Sequence, residues 1–423
     1  MKEHGRNGWR IVRVAFFLAS RYIARTSMWQ TGLVVFVMSL TFLNLVVVNG
    51  ILVGLIDGAM YGFQQNYAGD LLISKLPEKE SIERASTIRG IVEQNDDIVA
   101  YSARIVEPAT IEANYLASVS HPNIVPDRVA ASVAGINIAQ EESVTGVAKK
   151  LIEGSFLTET DDDSVVLGAN LIDRYFPAVI GLQTLSEVYP GDKIRITIGK
   201  ATREFFIKGI VKTKADATDL RVFMLENQLK KMRGGLGTAN TDEFALRIRP
   251  GKSISEVQND LFAYGIGSLA LVRTTEEAIG EFLGEIKDTF SLLGNIIGGI
   301  SVIVASITIF IIIFITAITR QKYIGILKGI GLSGITIELS YVILSIFYSG
   351  LGILIGVSLL YGVMLPYFKA HPINFPFSDG ILSVTTVGVI VRSLILIVTT
   401  IIAGYLPARL IVQKNTLDAI LGR

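Results

Sequence analysis

Cysteine is absent from this chain, and histidine nearly so: His4, His121 and His371 are the only three in 423 residues. The first absence removes disulfides, thiolate metal sites, cysteine nucleophiles and iron–sulfur clusters. The second leaves no pair of histidines at metal-ligand spacing. Charge is scarce too. Lys, Arg, Asp and Glu make up 18% of the residues and the net charge is +1, whereas an average soluble protein carries about a quarter charged residues. Nothing here resembles the basic field that holds nucleic acid, so no nucleic-acid partner is expected. No GxxxxGK[ST] phosphate loop, GxSxG elbow, HExxH pair or EF-hand loop occurs. No catalytic residue, cofactor site or metal site is therefore expected in the chain. The acidic run ETDDD at 159–163 reads as a solvated turn rather than a cation site.

Apolar sequence is abundant instead, at 50% of the residues, and it is concentrated. A bilayer span needs about 20 mainly apolar residues. Four stretches meet that need: 32–56, about 292–318 (within a segment 285–318 that includes a stalk), 337–361 and 381–406. The first is too long for a signal-peptide core and lacks a clean cleavage site, so it reads as a retained anchor. Lys and Arg crowd into segments 1–31, 319–336 and 407–423, while 362–380 holds only Lys369. By the positive-inside rule both termini and 319–336 are cytoplasmic, and 57–284 and 362–380 lie outside.

Residues 9–25, WRIVRVAFFLASRYIAR, interleave arginines with large apolar side chains. They read as an amphipathic helix on the inner leaflet, in contact with membrane lipid. A disordered basic tail is the alternative, and the many large apolar residues argue against it.

Residues 57–284 are different in kind: mixed in charge, rich in β-branched residues and punctuated by turn formers. Strands are expected at 70–74, 193–198, 204–211 and 243–249, and helices at 81–94 and 254–264. The fold class is thus a membrane protein with four transmembrane α-helices and a large extracytoplasmic α+β domain inserted between helices 1 and 2. About 225 residues suffice for a separate core, expected in two lobes. Residues 274–293 open with TTEE, a helix start. They are expected to form one stalk helix running into the second span, and the first span is expected to continue outward towards Asp70.

Ionisable groups at membrane depth are few, which argues against a proton- or ion-coupled carrier. Arg392 is near enough to the outer end to snorkel. Asn44 and Asn49 are candidates for interhelical hydrogen bonds. Gly294, Gly298 and Gly299 are candidates for close helix approach, as are Gly350, Gly352 and Gly356 in the third span.

Three stretches, taken with this layout, resemble one family. RQKYIGILKGIG at 320–331 is similar to the segment E-R-x-x-E-I-G-I-L-K-A-L-G that follows the second span in the MacB/FtsX-like permeases of ABC transporters. Ile324, Gly325, Ile326, Leu327, Lys328 and Gly331 match it, and Tyr323 stands where the family has glutamate. LPAR at 406–409 with NTLDAI at 415–420 is similar to the family's ending. LIEG at 151–154, VVLG at 165–168 and PGDKI at 190–194 are similar to recurring outer-domain elements, and Arg21, Tyr22 and Arg25 to the family's entry into the first span.

The resemblance implies a permease subunit in a bacterial cell (inner) membrane. It implies two copies of a separate ABC ATPase, which bind ATP and Mg, and a second permease copy or sister permease. An extracytoplasmic adaptor or client protein completes the expected partners. The segment 319–336 would dock on the ATPase, using Arg320, Lys322, Tyr323, Ile324, Gly325, Leu327, Lys328 and Gly331, with Ile324, Leu327 and Lys328 facing outward. The expected outcome is extraction or export of a lipoprotein, lipid, peptide or drug. The alternative is an FtsX-like signal transmitter that activates a cell-wall hydrolase. Members of that kind have a smaller outer domain, which favours the first reading.

Overall fold

Long apolar runs set the helical part of the fold. The computed structural model describes residues 2–115, 127–176, 183–234, 241–375, 378–380 and 382–413. Among these, four helices are long and apolar enough to cross a bilayer: Met28–Ala68, Asp288–Thr319, Gly334–Ala370 and Thr386–Val412. The chain divides into two compact units. A helical unit comprises Met1–Leu55, Ile286–Ile373 and Gly380–Arg423, and an α/β unit comprises Ile56–Glu285 and Asn374–Asp379.

In the helical unit, the basic helix Lys2–Arg25 precedes the first membrane helix. Its Ala15 and Ala19 are buried, while Trp9, Phe16 and Phe17 are more than half exposed. The common core takes Met38, Phe42 and Val46 from the first membrane helix and Ala305, Ile309 and Ile313 from the second. Tyr341 and Leu344 come from the third, and Leu396 and Ala403 from the fourth. The outward side of the second helix is a stripe of isoleucine, Ile296, Ile300, Ile303, Ile307, Ile311 and Ile315, as expected of a surface facing lipid.

The described helices run beyond the expected spans, Met28–Ala68 against 32–56 and Gly334–Ala370 against 337–361, and two further boundaries differ for local reasons. The fourth helix starts at Thr386, where Thr385 accepts the N–H of Gly388, and it runs through Pro407 to Val412. Proline removes one backbone donor, yet Ala408, Ile411 and Val412 are buried in the common core and hold the last turn in place. The stalk is broken. Thr274 and Glu277 do form a reciprocal capping box, but the helix they open is only Thr275–Ile279. Gly280 then adopts φ 87°, a conformation that glycine tolerates and a helix does not. A separate helix, Glu281–Thr319, follows. The ending motif at 415–420 lies outside the described residues.

The α/β unit is built on ten strands: β1 Leu71–Ser74, β2 Ile98–Ala113, β3 Asp127–Ile136, β4 Leu151–Gly154, β5 Ser164–Gly168, β6 Lys193–Ile198, β7 Ala201–Val211, β8 Arg221–Leu225, β9 Glu243–Ile248 and β10 Leu271–Thr274. β2 is long enough to serve two lobes. Its first part pairs with β9, extending the antiparallel order β10-β1-β9-β2. Helices Ala85–Gln94 and Ile254–Ala263 cover that sheet, with Ile88, Val92, Val257 and Leu261 packed on Leu71, Ile73, Phe244 and Leu246. The first of these helices starts four residues later than expected at 81, because Arg84 takes a left-handed conformation ahead of it.

The second part of β2 pairs with both β3 and β6. From there the pairings run β3–β8, β8–β5, β5–β7 and β7–β6, returning to β2. Six strands thus close a ring, which removes their free edges. Ile111, Val133, Val165, Leu167, Ile194, Ile196, Phe205 and Met224 are among the residues of its core.

Candidate functional site

The segment between the second and third membrane helices carries the residues expected to dock a partner. The second helix ends at Thr319, and Arg320 leaves helical geometry at φ −109° and ψ 11°. A short helix, Gln321–Gly329, follows. It is stopped by Gly331 at φ 96°, where the Gly331 N–H donates to the Lys328 carbonyl and the Leu332 N–H to that of Leu327. Gly331 is therefore a helix stop. Ser333 then caps the third membrane helix by accepting the Thr336 N–H.

Which face of this helix is free differs from the expectation. Ile324 is 1% exposed and Gly325 is buried. Leu327 is half-buried against the helical core. The Lys328 Nζ donates to the Val412 carbonyl at 2.8 Å, neutralising the end of the fourth helix. Ile324, Leu327 and Lys328 therefore face inward, holding the segment to the helical unit. The outward face carries Lys322, Tyr323, Ile326 and Ile330, the last three 67%, 45% and 71% exposed. Arg320 lies between the two sets, its guanidinium 4.8 Å from the centroid of the Tyr22 ring.

The expected packing residues fall into two groups. Asn49 donates to the Asn295 side chain at 3.4 Å, and Ser301 donates to Asn44 at 2.6 Å, so both asparagines join the first and second membrane helices. A Cβ on Gly294 would lie 3.2 Å from the Asn49 amide, and one on Gly298 would lie 2.9 Å from Leu45 Cδ1. One on Gly299 would meet no described atom within 4 Å, so this glycine makes no close approach here. Gly352 and Gly356 abut Met38 and Phe42, while Gly350 points into open space. Gly404 of the fourth helix, which sequence reasoning missed, lies against Ser345 of the third.

A third constellation, also missed, is buried in the α/β unit. The helix that includes the first membrane span ends in a π turn, Gln64–Ala68, closed by Gly69. Tyr67 in that turn donates to Glu243 at 2.8 Å, and Arg221 donates to both the Tyr67 hydroxyl and Glu243. Arg104 donates to both Glu141 oxygens at 2.8 and 2.7 Å, with its Nη1 3.7 Å from Glu243. Ser102 and Thr145 complete the shell of Glu141.

Burial raises the proton affinity of the Glu243 carboxylate, but the charges of Arg221 and Arg104 outweigh it and hold its pKa at about 2. Glu141 is lowered in the same way, burial being overcome by Arg104. Around this ionic centre the π turn is bonded to several strands and loops. Asn66 donates to the Thr213 carbonyl and its own carbonyl accepts from Thr218, while the Gln65 carbonyl accepts from the Gly146 N–H. Asp70 accepts from Arg247 and from the Ile248 N–H. The π turn is thus fixed to both lobes of the α/β unit.

Among the described residues, no group of three His, Cys, Asp or Glu side chains is placed to hold a metal ion. The sites described so far bind and position; none has a nucleophile paired with a base.

Residues 45–264 match the profile of the MacB-like periplasmic core domain, just over half of the chain. An uncharacterized ABC transporter permease of Methanocaldococcus jannaschii is 24% identical over 282 residues, covering 64% of this chain and 65% of that one. The ABC transporter permease YtrF of Bacillus subtilis is 26% identical over 241 residues, covering 52% of each. The chain therefore spans less than two thirds of the length of these relatives. The periplasmic region of MacB from Actinobacillus actinomycetemcomitans aligns with a TM-score of 0.33 at 14% identity, covering 49% of this chain and 90% of that one. The extracellular domain of the transporter YknZ from Gram-positive bacteria aligns with a TM-score of 0.29 at 15% identity, covering 48% and 99%. With its four apolar helices and its matched core domain, this membrane protein belongs to the MacB-like family of ABC transporter permeases.

Proposed function

We propose that the chain is a permease subunit that turns ATP-driven motion of a separate ATPase into movement of its α/β domain, and so extracts or exports a substrate. The α/β domain is then the extracytoplasmic insertion between the first two spans, with both termini inside the cell. Two ATPase copies would bind ATP and Mg, and a second permease copy would complete the assembly. The observation that carries the reading is the helix Met28–Phe63. Its N-terminal part packs in the helical core, and the π turn that continues it is locked to both lobes through Tyr67 and Asn66. Motion of the ATPase would reach the α/β domain through hinge or shear movement of packed elements.

Docking would use the outward face Lys322, Tyr323, Ile326 and Ile330, an apolar strip with one charge. Sparse ionisable side chains in the spans fit a substrate handled outside the bilayer. The test is co-purification of the full chain with its cognate P-loop ATPase. Ile326→Asp should abolish capture while leaving the chain folded, because Ile326 is exposed. Capture unaffected by Ile326→Asp and by Tyr323→Ala would reject the docking face. Crosslinking from the α/β domain then separates the two outcomes of the motion: an apolar ligand supports transport, and a wall hydrolase supports signalling.

A further inference from the structure

A cavity of about 540 Å³ opens between the basic helix Lys2–Arg25 and the short helix Gln321–Gly329. Three of the residues that line it are arginines: Arg21, Arg25 and Arg320. Arg21 and Arg25 are one helical turn apart on the same face. None of the three has a carboxylate within 4.0 Å among the described residues, and no acidic residue lines the cavity. The Arg320 guanidinium rests on Tyr22 at 4.8 Å, and Arg21 lies 5.8 Å from the Phe17 centroid. These stacked positions leave the guanidinium edges free to donate. The rest of the wall comes from Phe17, Leu18, Tyr22, Tyr323, Ile326 and Leu327, apolar apart from the two tyrosine hydroxyls.

Three guanidinium groups around one cavity, with no carboxylate beside them among the described residues, repel one another unless an anion joins them. Arginine matches phosphate oxygens with pairs of parallel donors. The position of the cavity selects the source of that phosphate. Arg25 ends the basic helix just ahead of Met28, where the first membrane helix begins, and Arg320 directly follows Thr319, where the second ends. Both therefore sit at a membrane boundary. On the same helix Phe16 and Phe17 are exposed, side chains suited to the level of the headgroups and upper acyl chains. A partner's carboxylate would use the charges but has no need of the apolar wall. A glycerophospholipid uses both.

We propose that this cavity binds the headgroup of an anionic glycerophospholipid of the cytoplasmic leaflet. Its phosphate is held by Arg21, Arg25 and Arg320, and its glycerol and first acyl carbons lie against Phe17, Leu18 and Leu327. Such a lipid bridges the basic helix and the segment proposed to dock the ATPase. Its occupancy would fix the angle of that segment. The lipid site stands independently of the docking role, since the experiment reads lipid alone.

The experiment is native mass spectrometry of the full chain, purified in detergent and titrated with phosphatidylglycerol or phosphatidylcholine. The wild type is expected to hold phosphatidylglycerol about tenfold more tightly, the size of one or two charge-assisted hydrogen bonds. Arg21→Gln combined with Arg320→Gln removes that preference. Arg13→Gln, which loses a charge on an exposed part of the same helix outside the cavity, keeps it. If the Arg320 change impairs folding, Arg21→Gln with Arg25→Gln, both exposed, serves instead.

An equal loss in Arg13→Gln would mean general surface charge and overturns the site. A preference that survives the double variants overturns it too. Competition by inorganic phosphate alone would make this a free-anion pocket rather than a lipid site. Loss of ATPase capture with lipid preference intact would give the arginines to a protein partner.

Discussion

The two units solve the same problem, how to bury polar side chains, in opposite ways. Among the described residues, the buried polar groups of the helical unit are all uncharged: Ser39, Thr41, Asn49, Thr336, Ser340, Ser345, Ser349 and Thr400. Most of their hydroxyls donate back to a carbonyl of their own helix, as Thr41 does to Val37, Ser345 to Tyr341 and Thr400 to Leu396. These hydroxyls need no partner on another helix, whereas Asn49 reaches Asn295 on the second. Every buried charged side chain among the described residues lies in the α/β unit, including Arg104, Glu141, Arg221 and Glu243. These satisfy one another across elements far apart in the chain. The difference teaches where each unit can slide and where it cannot. Helices whose polar groups are satisfied locally shift against one another at little polar cost. An ionic centre whose members come from a π turn, a helix and three strands has to break as a whole.

Four measurements on the full chain in detergent test this contrast, from the largest effect down. Glu243→Ala leaves Arg221 buried without its carboxylate and should cost the α/β unit about 3–5 kcal/mol in chemical denaturation. A cost below that of any glycine change in the helical unit would break the comparison.

Acid should act on the α/β unit first. Glu243 has a folded pKa of about 2 against an ordinary 4.5, so the folded state binds its proton less readily than the unfolded one. Its stabilisation is complete above pH 4.5 and drains away as pH falls towards 2, a loss of about 3 kcal/mol. Glu141, lowered likewise, adds to the same trend. An α/β unit that melts at the same temperature at about pH 2 and about pH 5, near the two ends of that window, would show the centre to be weak.

Gly404→Val drives a side chain into Ser345 and should cost the helical unit about 1–3 kcal/mol. Gly299→Val, into open space, should change stability by no more than about 0.5 kcal/mol. Equal effects would show that glycine content rather than placement matters. The smallest loss expected from removing a contact is that of Asn49→Leu, which takes away the bond to Asn295 for about 0.6 kcal/mol. A much larger loss would mean that the helical unit also depends on long-range polar contacts.

Much of the layout was legible in the chain. Lys193–Ile198 stands in the structure with the residues its alternation marks out, because period-two patterning and flanking turn formers act locally. The docking helix shows why legibility stops. Its residues offer two stripes at helical spacing, one through Ile324, Leu327 and Gly331 and one through Tyr323, Ile326 and Ile330. Both are apolar enough to be buried. Only the Val412 carbonyl waiting for Lys328, and the helical core receiving Ile324, choose between them. Glycine spacing left the same ambiguity, since Gly298 and Gly299 are one position apart yet about 100° apart around the helix.

The sequence by itself determined the four apolar helices and the separate α/β unit. These depend on run length, composition and local pattern, which need no partner to read. The tertiary structure alone decided which face of Gln321–Gly329 is free, which glycines carry close contacts, and that Tyr67, Arg104, Glu141, Arg221 and Glu243 form one ionic centre. Those facts depend on what is brought opposite each residue: Tyr67 meets Arg221, 154 positions along the chain, and Ile111 of the closed ring pairs with Ile196.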